Sequence, residues 1–398
     1  LQLSSKQRQK VSITDGFELK RGFTYLIPLE EKLLLNGVDF VKSSPKSSCG
    51  RIFMNTRMLS DHNPCFDEIN AAYGRGKALD LWLLVQPLAF NVVVYSGLTL
   101  NQLRFFKGDD AQLSTEELKT EFSNNPLLYS KSTEQKLEAV NPLICCNNGL
   151  QIHLDLFGQN TQKVYGLRAR HNPEPIDLKV KGKYNAEDFF EPLLSGKGRI
   201  VLEKGEHYLI ASAELLKIPA HLNVELESHS NVGITGPLHF AGFGDNGFEG
   251  DLVFEIRSDE ISSMELVDGM PISKLKVYRT ALPDKLYGTT IGSNYQHQVG
   301  PKTAKYFKAF DFNSAAKNYK KLNRDVLVQD AQELMKFRSG QEGFEFIDDA
   351  KKGKLFEQID QGFFQSRYDC ENDELVLQIN EVSKLLESYS SFILNSGF

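Results

Sequence analysis

The chain has 398 residues, enough for two domains of ordinary size, and its 41% apolar and 25% charged content is that of a globular protein. Its 46 basic and 52 acidic residues leave a net charge of −6, with no basic block of the kind that tracks nucleic acid and no apolar run of about 18 residues that could span a membrane. Five cysteines, odd in number and without paired spacing, argue against a disulfide framework and make the cytoplasm the expected compartment.

In chain order, the first ten residues are polar and do not form a signal peptide, and the natural start is expected to lie upstream of Leu1. Short strands are then expected over 24–29, 79–85 and 90–95, and again over 199–202 and 251–256, with turn residues between them. The two groups are related. Leu19-Lys20-Arg21-Gly22-Phe23-Thr24-Tyr25-Leu26-Ile27 recurs 183 residues later as Leu202-Glu203-Lys204-Gly205-Glu206-His207-Tyr208-Leu209-Ile210, both reading L-x-x-G-x-x-Y-L-I. A second landmark, Gly97 to Phe105, recurs 172 residues later as Gly269 to Val277. Two landmarks in the same order indicate a duplicated unit, and many short strands in each copy indicate a sandwich or barrel.

The expected organisation is a first domain at 1–112, a linker at 113–147, a second domain at 148–305 and a helical extension at 306–398. The linker is polar and helix-prone. In the extension Val326, Leu327, Ala331, Leu334 and Met335 fall close to one helical face.

One stretch carries most of the chemical information. His239 to Ile256 reads HFAGFGDNGFEGDLVFEI: four glycines, then an apolar run that ends on Glu255. Glycines this dense before a strand mark a tight hairpin that a backbone or ligand approaches closely. A Glu in an apolar strand is costly to bury unless it is paired or working, and pairing with Arg257 or Lys274 is the plainer alternative. Asp245 suits a turn cap as well as a ligand. His229 and His239 read as structural, and Tyr73-Gly74-Arg75-Gly76 as a turn.

The segment Ala241-Gly242-Phe243-Gly244-Asp245-Asn246-Gly247-Phe248-Glu249-Gly250, with Glu255 after it, resembles the core motif of the dCTP deaminase branch of the dUTPase-like superfamily, A-G-x-I-D-P-G-[FW]-x-G-x-[IV]-x-L-E. Gly244 stands for the apolar residue and Asn246 for the proline. Lys46-Ser47-Ser48-Cys49-Gly50-Arg51 is similar to the family's phosphate-binding R-S-S-x-[AG]-R. Tyr287, followed by Asn294-Tyr295-Gln296-His297-Gln298-Val299-Gly300, resembles the nucleotide-closing segment, with Asn294 in place of a Lys. The double length resembles a bacterial subgroup in which the domain is duplicated.

The resemblance implies a mainly β fold: two tandem dUTPase-like (β-clip, or distorted jelly-roll) domains. It implies deamination of dCTP to dUTP and ammonia, with Glu255 as general acid/base and Ser47, Arg51 and the carbonyl of Ala241 as its catalytic companions. Lys46, Ser48, Asp245, Tyr287, Asn294, Tyr295, Gln298 and Lys302 would bind substrate. Mg2+ would enter on the triphosphate. No zinc is expected, because the H-x-E…P-C-x-x-C pattern of zinc deaminases is missing. A dUTPase, a bifunctional deaminase and dUTPase, and a nucleotide-binding protein without catalysis are the alternatives. The 183-residue offset puts Ile234 opposite Arg51, and the 172-residue offset puts Leu83 opposite Glu255. A composite site is therefore expected, with phosphate ligands from one copy facing Glu255 from the other. Because the superfamily closes domains in threes, a homo-oligomer of three chains is expected.

Overall fold

In a computed structural model, residues 10–314 are described apart from 62, 75, 109–110, 132–136, 142–145, 148, 159–160, 162, 173, 195–197, 230–241, 259–263 and 291. Ala241, His239, Ile234 and the apolar face expected near Val326 lie outside the described residues.

The architecture is mainly β, and both copies are built to one plan. In the first copy Leu79–Pro87 shows strict in–out alternation along its length, as a half-buried strand requires. It lies between Tyr25–Leu33 and Met54–Ser60 in an antiparallel sheet. Phe40–Pro45 lies between Glu68–Asn70 and Asn101–Phe106 in another. In the second copy His207–Lys217 pairs with Glu249–Arg257, and Leu222–Ser228 with Pro271–Arg279.

Strand register agrees with a duplication. Val41 faces Phe105 in the first copy, and their counterparts Val224 and Val277 face each other in the second. Leu26 likewise faces Leu84, as Leu209 faces Glu255. The counterpart of Glu255 is therefore Leu84, one residue on from the Leu83 that the 172-residue offset indicates. Sequence spacing cannot register such a slip, whereas the pairing of whole strands does.

Described residues of the 113–147 stretch, expected as a linker, contribute to the second copy's core. Helix Thr115–Asn124 opens with a capping box, Ser114 Oγ accepting from the Glu117 backbone while the Glu117 carboxylate takes the Ser114 amide. Its Leu118 and Phe122, four residues apart and so on one face, are buried in that core. The strand Leu128–Lys131 then pairs with His207–Lys217. Composition concealed this because only two residues of the helix need to be apolar to dock it.

A second apolar cluster runs through both copies. It joins Ile52, Phe53, Met58 and Phe90 of the first to Leu167, Phe189, Phe190, Leu209 and Val253 of the second. Tyr306, Phe307 and Phe310, expected at the head of a helical extension, are buried in this cluster from a turn and the irregular chain after it, with Phe307 bridging to Tyr184. Ile176–Asp177 pairs in parallel with Val92–Val93, so a second-copy strand completes a first-copy sheet.

Candidate active site

The site starts from a single helical turn, Ser47–Gly50, in the first copy. The carbonyl of Lys46 accepts from the amides of Cys49 (2.7 Å) and Gly50 (3.2 Å), and Cys49 Sγ donates to the Leu100 carbonyl (3.4 Å). Burial pushes the Cys49 thiol up to about 12, so this cysteine anchors the turn to the core and is no nucleophile. The turn presents Ser47 and Arg51 to a cleft of about 640 Å3, measured out to its open mouth.

Across that cleft lies the strand Glu249–Arg257 of the second copy. Glu255 is 3% exposed, and its carboxylate rests against the Cα of Gly50. A methyl built on Gly50 would stand 2.7 Å from Glu255 Cδ and from both carboxylate oxygens. Only a residue without a side chain lets the turn approach the carboxylate this closely. Ser47, Arg51 and Glu255 therefore line one cleft within a single chain.

Arg51 is 4% exposed. Nη1 donates to the Lys302 carbonyl at 2.7 Å, the guanidinium lies 4.0 Å from the Tyr295 ring centroid, and Nε has no hydrogen-bond partner among the described residues. Burial pulls the Arg51 pKa down, while the neighbouring Tyr295 and Glu255 favour its charged form. A buried cation with one donor unused is built to meet an anion.

Ser48 is turned away from the cleft: its hydroxyl is 2.7 Å from Tyr295 Oη, which also accepts from the Lys305 amide at 3.2 Å. That pair ties the first copy's turn to the closing segment. Gln298, 3% exposed, donates its side-chain amide to the Asp251 carbonyl and leaves Oε1 without a partner. The Asp251 carboxylate in turn accepts from Gly300 N at 2.8 Å and pairs with Lys131 at 2.9 Å, both side chains buried. Tyr287 packs on Phe248, ring centroids 5.9 Å apart, and lines the cleft with Asp245 and Gln298.

Other expected residues sit elsewhere. Lys46 Nζ reaches outward to Thr99 Oγ1 (2.8 Å), and Asn294 is exposed; neither lines the cleft. Lys302 contributes its carbonyl, with its ammonium 6.0 Å from the Tyr295 ring and its pKa lowered by burial and by Arg51.

Two departures from the motif have physical causes. A methyl on Gly244 would meet Val224 Cγ2 at 2.5 Å, so a side chain there would have to displace Val224. Asn246 Nδ2 donates to the Ala220 carbonyl (2.8 Å), a bond that proline could not make. Two contributors escaped the sequence reading. Ser44 Oγ accepts from Gly242 N (2.9 Å), and Arg104 reaches the hairpin carbonyls. Both belong to the first copy, on strands that carry no family motif.

Residues 2–109 match the family model for the 2'-deoxycytidine 5'-triphosphate deaminase (DCD) N-terminal domain, and residues 115–307 match the model for its C-terminal domain. The chain belongs to this deaminase family. A crystal structure of 2'-deoxycytidine 5'-triphosphate deaminase from Agrobacterium tumefaciens superposes with a TM-score of 0.61 at 26% identity, covering 74% of this chain and 80% of that one. A Corynebacterium jeikeium (strain K411) protein named "dCTP deaminase, dUMP-forming" is 38% identical over 114 residues, 28% of this chain and 61% of the relative. One of the same name from Mycobacterium avium (strain 104) is 36% identical over 114 residues, 28% of this chain and 60% of the relative. The chain thus spans about three fifths of these relatives' length. No helix among the described residues is long and apolar enough to cross a membrane.

Proposed function

We propose that this protein deaminates dCTP, and that it does so at one composite site shared by its two copies. The observation that carries the reading is the contact of the Glu255 carboxylate with Gly50, one residue from the partly unsatisfied Arg51 guanidinium. A proton carrier and an anion ligand, from different halves, are then held in one cleft.

In the proposed reaction, water adds to C4 of cytosine. Glu255 takes a proton from the water and delivers it to N3, giving a tetrahedral carbon that bears both hydroxyl and amine. Glu255 next carries the hydroxyl proton to the amine; the C4–N bond breaks, ammonia leaves and a C4 carbonyl remains. Ser47 and the carbonyl of Ala241 would orient the water. Arg51, with Tyr295 stacked on it and Gln298 and Tyr287 alongside, would hold the triphosphate, with Ser48 holding Tyr295 in place. The described lining holds Glu255 and Asp245 and neither His nor Cys, and among the described residues no group of three or more His, Cys, Asp or Glu could hold a metal. Such a donor set suits Mg2+ that arrives on the triphosphate as part of the substrate.

A second reading is favoured by the name "dUMP-forming" carried by the relatives: the same cleft would go on to release pyrophosphate from dUTP. Following ammonia, dUTP, dUMP and pyrophosphate from dCTP and Mg2+ separates the two, and adding a zinc chelator to the same assay tests the zinc-free route. Glu255→Gln should lower ammonia release by about 100-fold or more while dCTP still binds. Near wild-type turnover in that variant would refute the role of Glu255. Tight dCTP binding with no ammonia from the wild type would leave a nucleotide-binding protein instead. An assembly of three chains is proposed as well, and light scattering tests it.

A further inference from the structure

The Gly242–Asp245 segment of the hairpin lines the cleft, and among the described residues it is held by both copies. Its strand is two residues long, Phe243–Gly244, and pairs with only Val224 and Glu225. Beyond that pairing, the second copy adds the Leu226 amide, which donates to the Gly242 carbonyl (2.6 Å), and the first copy adds a larger set of contacts. Arg104, on Asn101–Phe106, extends a guanidinium that is 12% exposed beneath the hairpin. Nη1 donates to the Val224 carbonyl (2.6 Å) and Asn223 Oδ1 (3.2 Å). Nη2 donates to the Gly244 carbonyl (2.8 Å) and approaches Asp245 Oδ1 (3.5 Å). The guanidinium plane lies 4.1 Å from the Phe243 ring centroid. Val224, Phe243, Gly244 and Asp245 all line the cleft.

Neighbouring first-copy residues act in the same direction. Ser44, on the strand paired with that of Arg104, fixes Gly242 N. Lys42, directly opposite Arg104, pairs with Glu225 at 3.0 Å, and Tyr278 donates to the same carboxylate at 2.9 Å. A buried arginine whose forked donors bridge the carbonyls of two adjacent strands fixes their separation and tilt, which a lysine, with donors at a single point, cannot do.

We propose that Arg104 is a positioning residue that sets the base-reading backbone of the hairpin, so the first copy contributes the floor of the base pocket as well as the phosphate turn. This inference rests on the reading of the cleft as a nucleotide site. Arg104 touches no part of the substrate; it acts through Gly244 and Phe243. Its loss should weaken recognition of the base and leave recognition of the phosphates intact, because the hydrogen bonds of Arg104 run to Asn223, Val224, Gly244 and Asp245 and, among the described residues, to none of Arg51, Tyr295 and Gln298.

The test is calorimetric binding of dCTP and of 2-deoxyribose 5-triphosphate, which has no base, with Mg2+ present. The proteins are the full chain carrying Glu255→Gln to block turnover, and the same chain with Arg104→Lys, Arg104→Ala or Ser44→Ala added. Arg104→Lys should weaken dCTP binding about tenfold, the scale of a displaced recognition group, and change binding of the base-free compound by less than about twofold. Ser44→Ala should shift the ratio in the same sense by less, and it carries the test, with Arg104→Lys, if Arg104→Ala does not fold. Equal losses for both ligands, or no loss for either, would overturn the inference. A parent chain that binds neither ligand would instead sink the proposed function.

Discussion

Gly50 is where the two copies meet the proposed chemistry, and enlarging it tests the composite site without touching a functional group. A methyl at this position stands 2.7 Å from the Glu255 carboxylate, against the 3.4 Å at which ordinary contact begins, so Gly50→Ala must push the carboxylate back by about 0.7 Å. The resembling family motif admits Ala here, so the single methyl should be absorbed by a small retreat of Glu255, at a cost of less than about tenfold in turnover. Gly50→Val adds two further methyls against the same carboxylate, which is already 3% exposed and must be displaced further. Displacing a reacting group by about 1 Å can cost about 100-fold, and that is the loss expected in the single-turnover rate of ammonia release. Overpacking should cost about 1–3 kcal/mol of stability, a few degrees of melting temperature rather than loss of the fold. Calorimetry should show dCTP affinity within about threefold of wild type, since the contacts of Arg51 with the Lys302 carbonyl and the Tyr295 ring do not involve Gly50. A Gly50→Val protein that folds and turns over within about threefold of wild type would refute the claim that Glu255 works against this turn.

Other expectations follow from individual contacts. Arg51→Lys keeps the charge but cannot both stack on Tyr295 and bond the Lys302 carbonyl, so KM for dCTP should rise about tenfold or more while Ser47 and Glu255 remain in place; an unchanged KM would contradict a phosphate role. Lys131→Met leaves Asp251 buried without its cation and should cost about 3–5 kcal/mol in urea unfolding, largely recovered in the Lys131→Met/Asp251→Asn double variant; purely additive losses would show that the pair is not coupled. His207 is buried against Phe53 with Nε2 unpartnered, and burial, then Arg257, Arg21 and His171, lower its pKa from 6.5 to about 3. The unfolded chain therefore binds this proton first: the stability is full above about pH 6.5 and drains away as pH falls towards 3. His207→Gln should flatten the unfolding free energy over that window, and an unchanged slope would refute the assignment.

The legible parts of the fold were those whose information is local or repeated. Turn residues on either side marked the strand beginning at Leu79, and the L-x-x-G-x-x-Y-L-I repeat disclosed the duplication. Glu255, Ser47 and Arg51 could be found because a family motif surrounds each of them. Ser44 and Arg104 could not, since their partners lie 198 and 140 residues away and the repeat merely aligns Arg104 with Lys276. Even so, Ser114 followed by Glu117 before Leu118 and Phe122 was a readable capping signal in what looked like a linker. Lys46 illustrates the opposite error: a match in sequence position whose side chain the structure directs to Thr99, outside the cleft.

The apolar cluster that threads both copies bears on how a duplicated protein is free to change. Where two halves of a site belong to separate molecules, dilution disperses the site, and every copy must keep both halves of the chemistry. Here the cluster joining Phe53 and Phe90 to Phe189, Phe190 and Val253 keeps turn and carboxylate together at any protein concentration. Under the proposed composite site, each copy is free to surrender the half its neighbour supplies, and Leu84 stands where the second copy has Glu255, while its strands are still required to build the common interior.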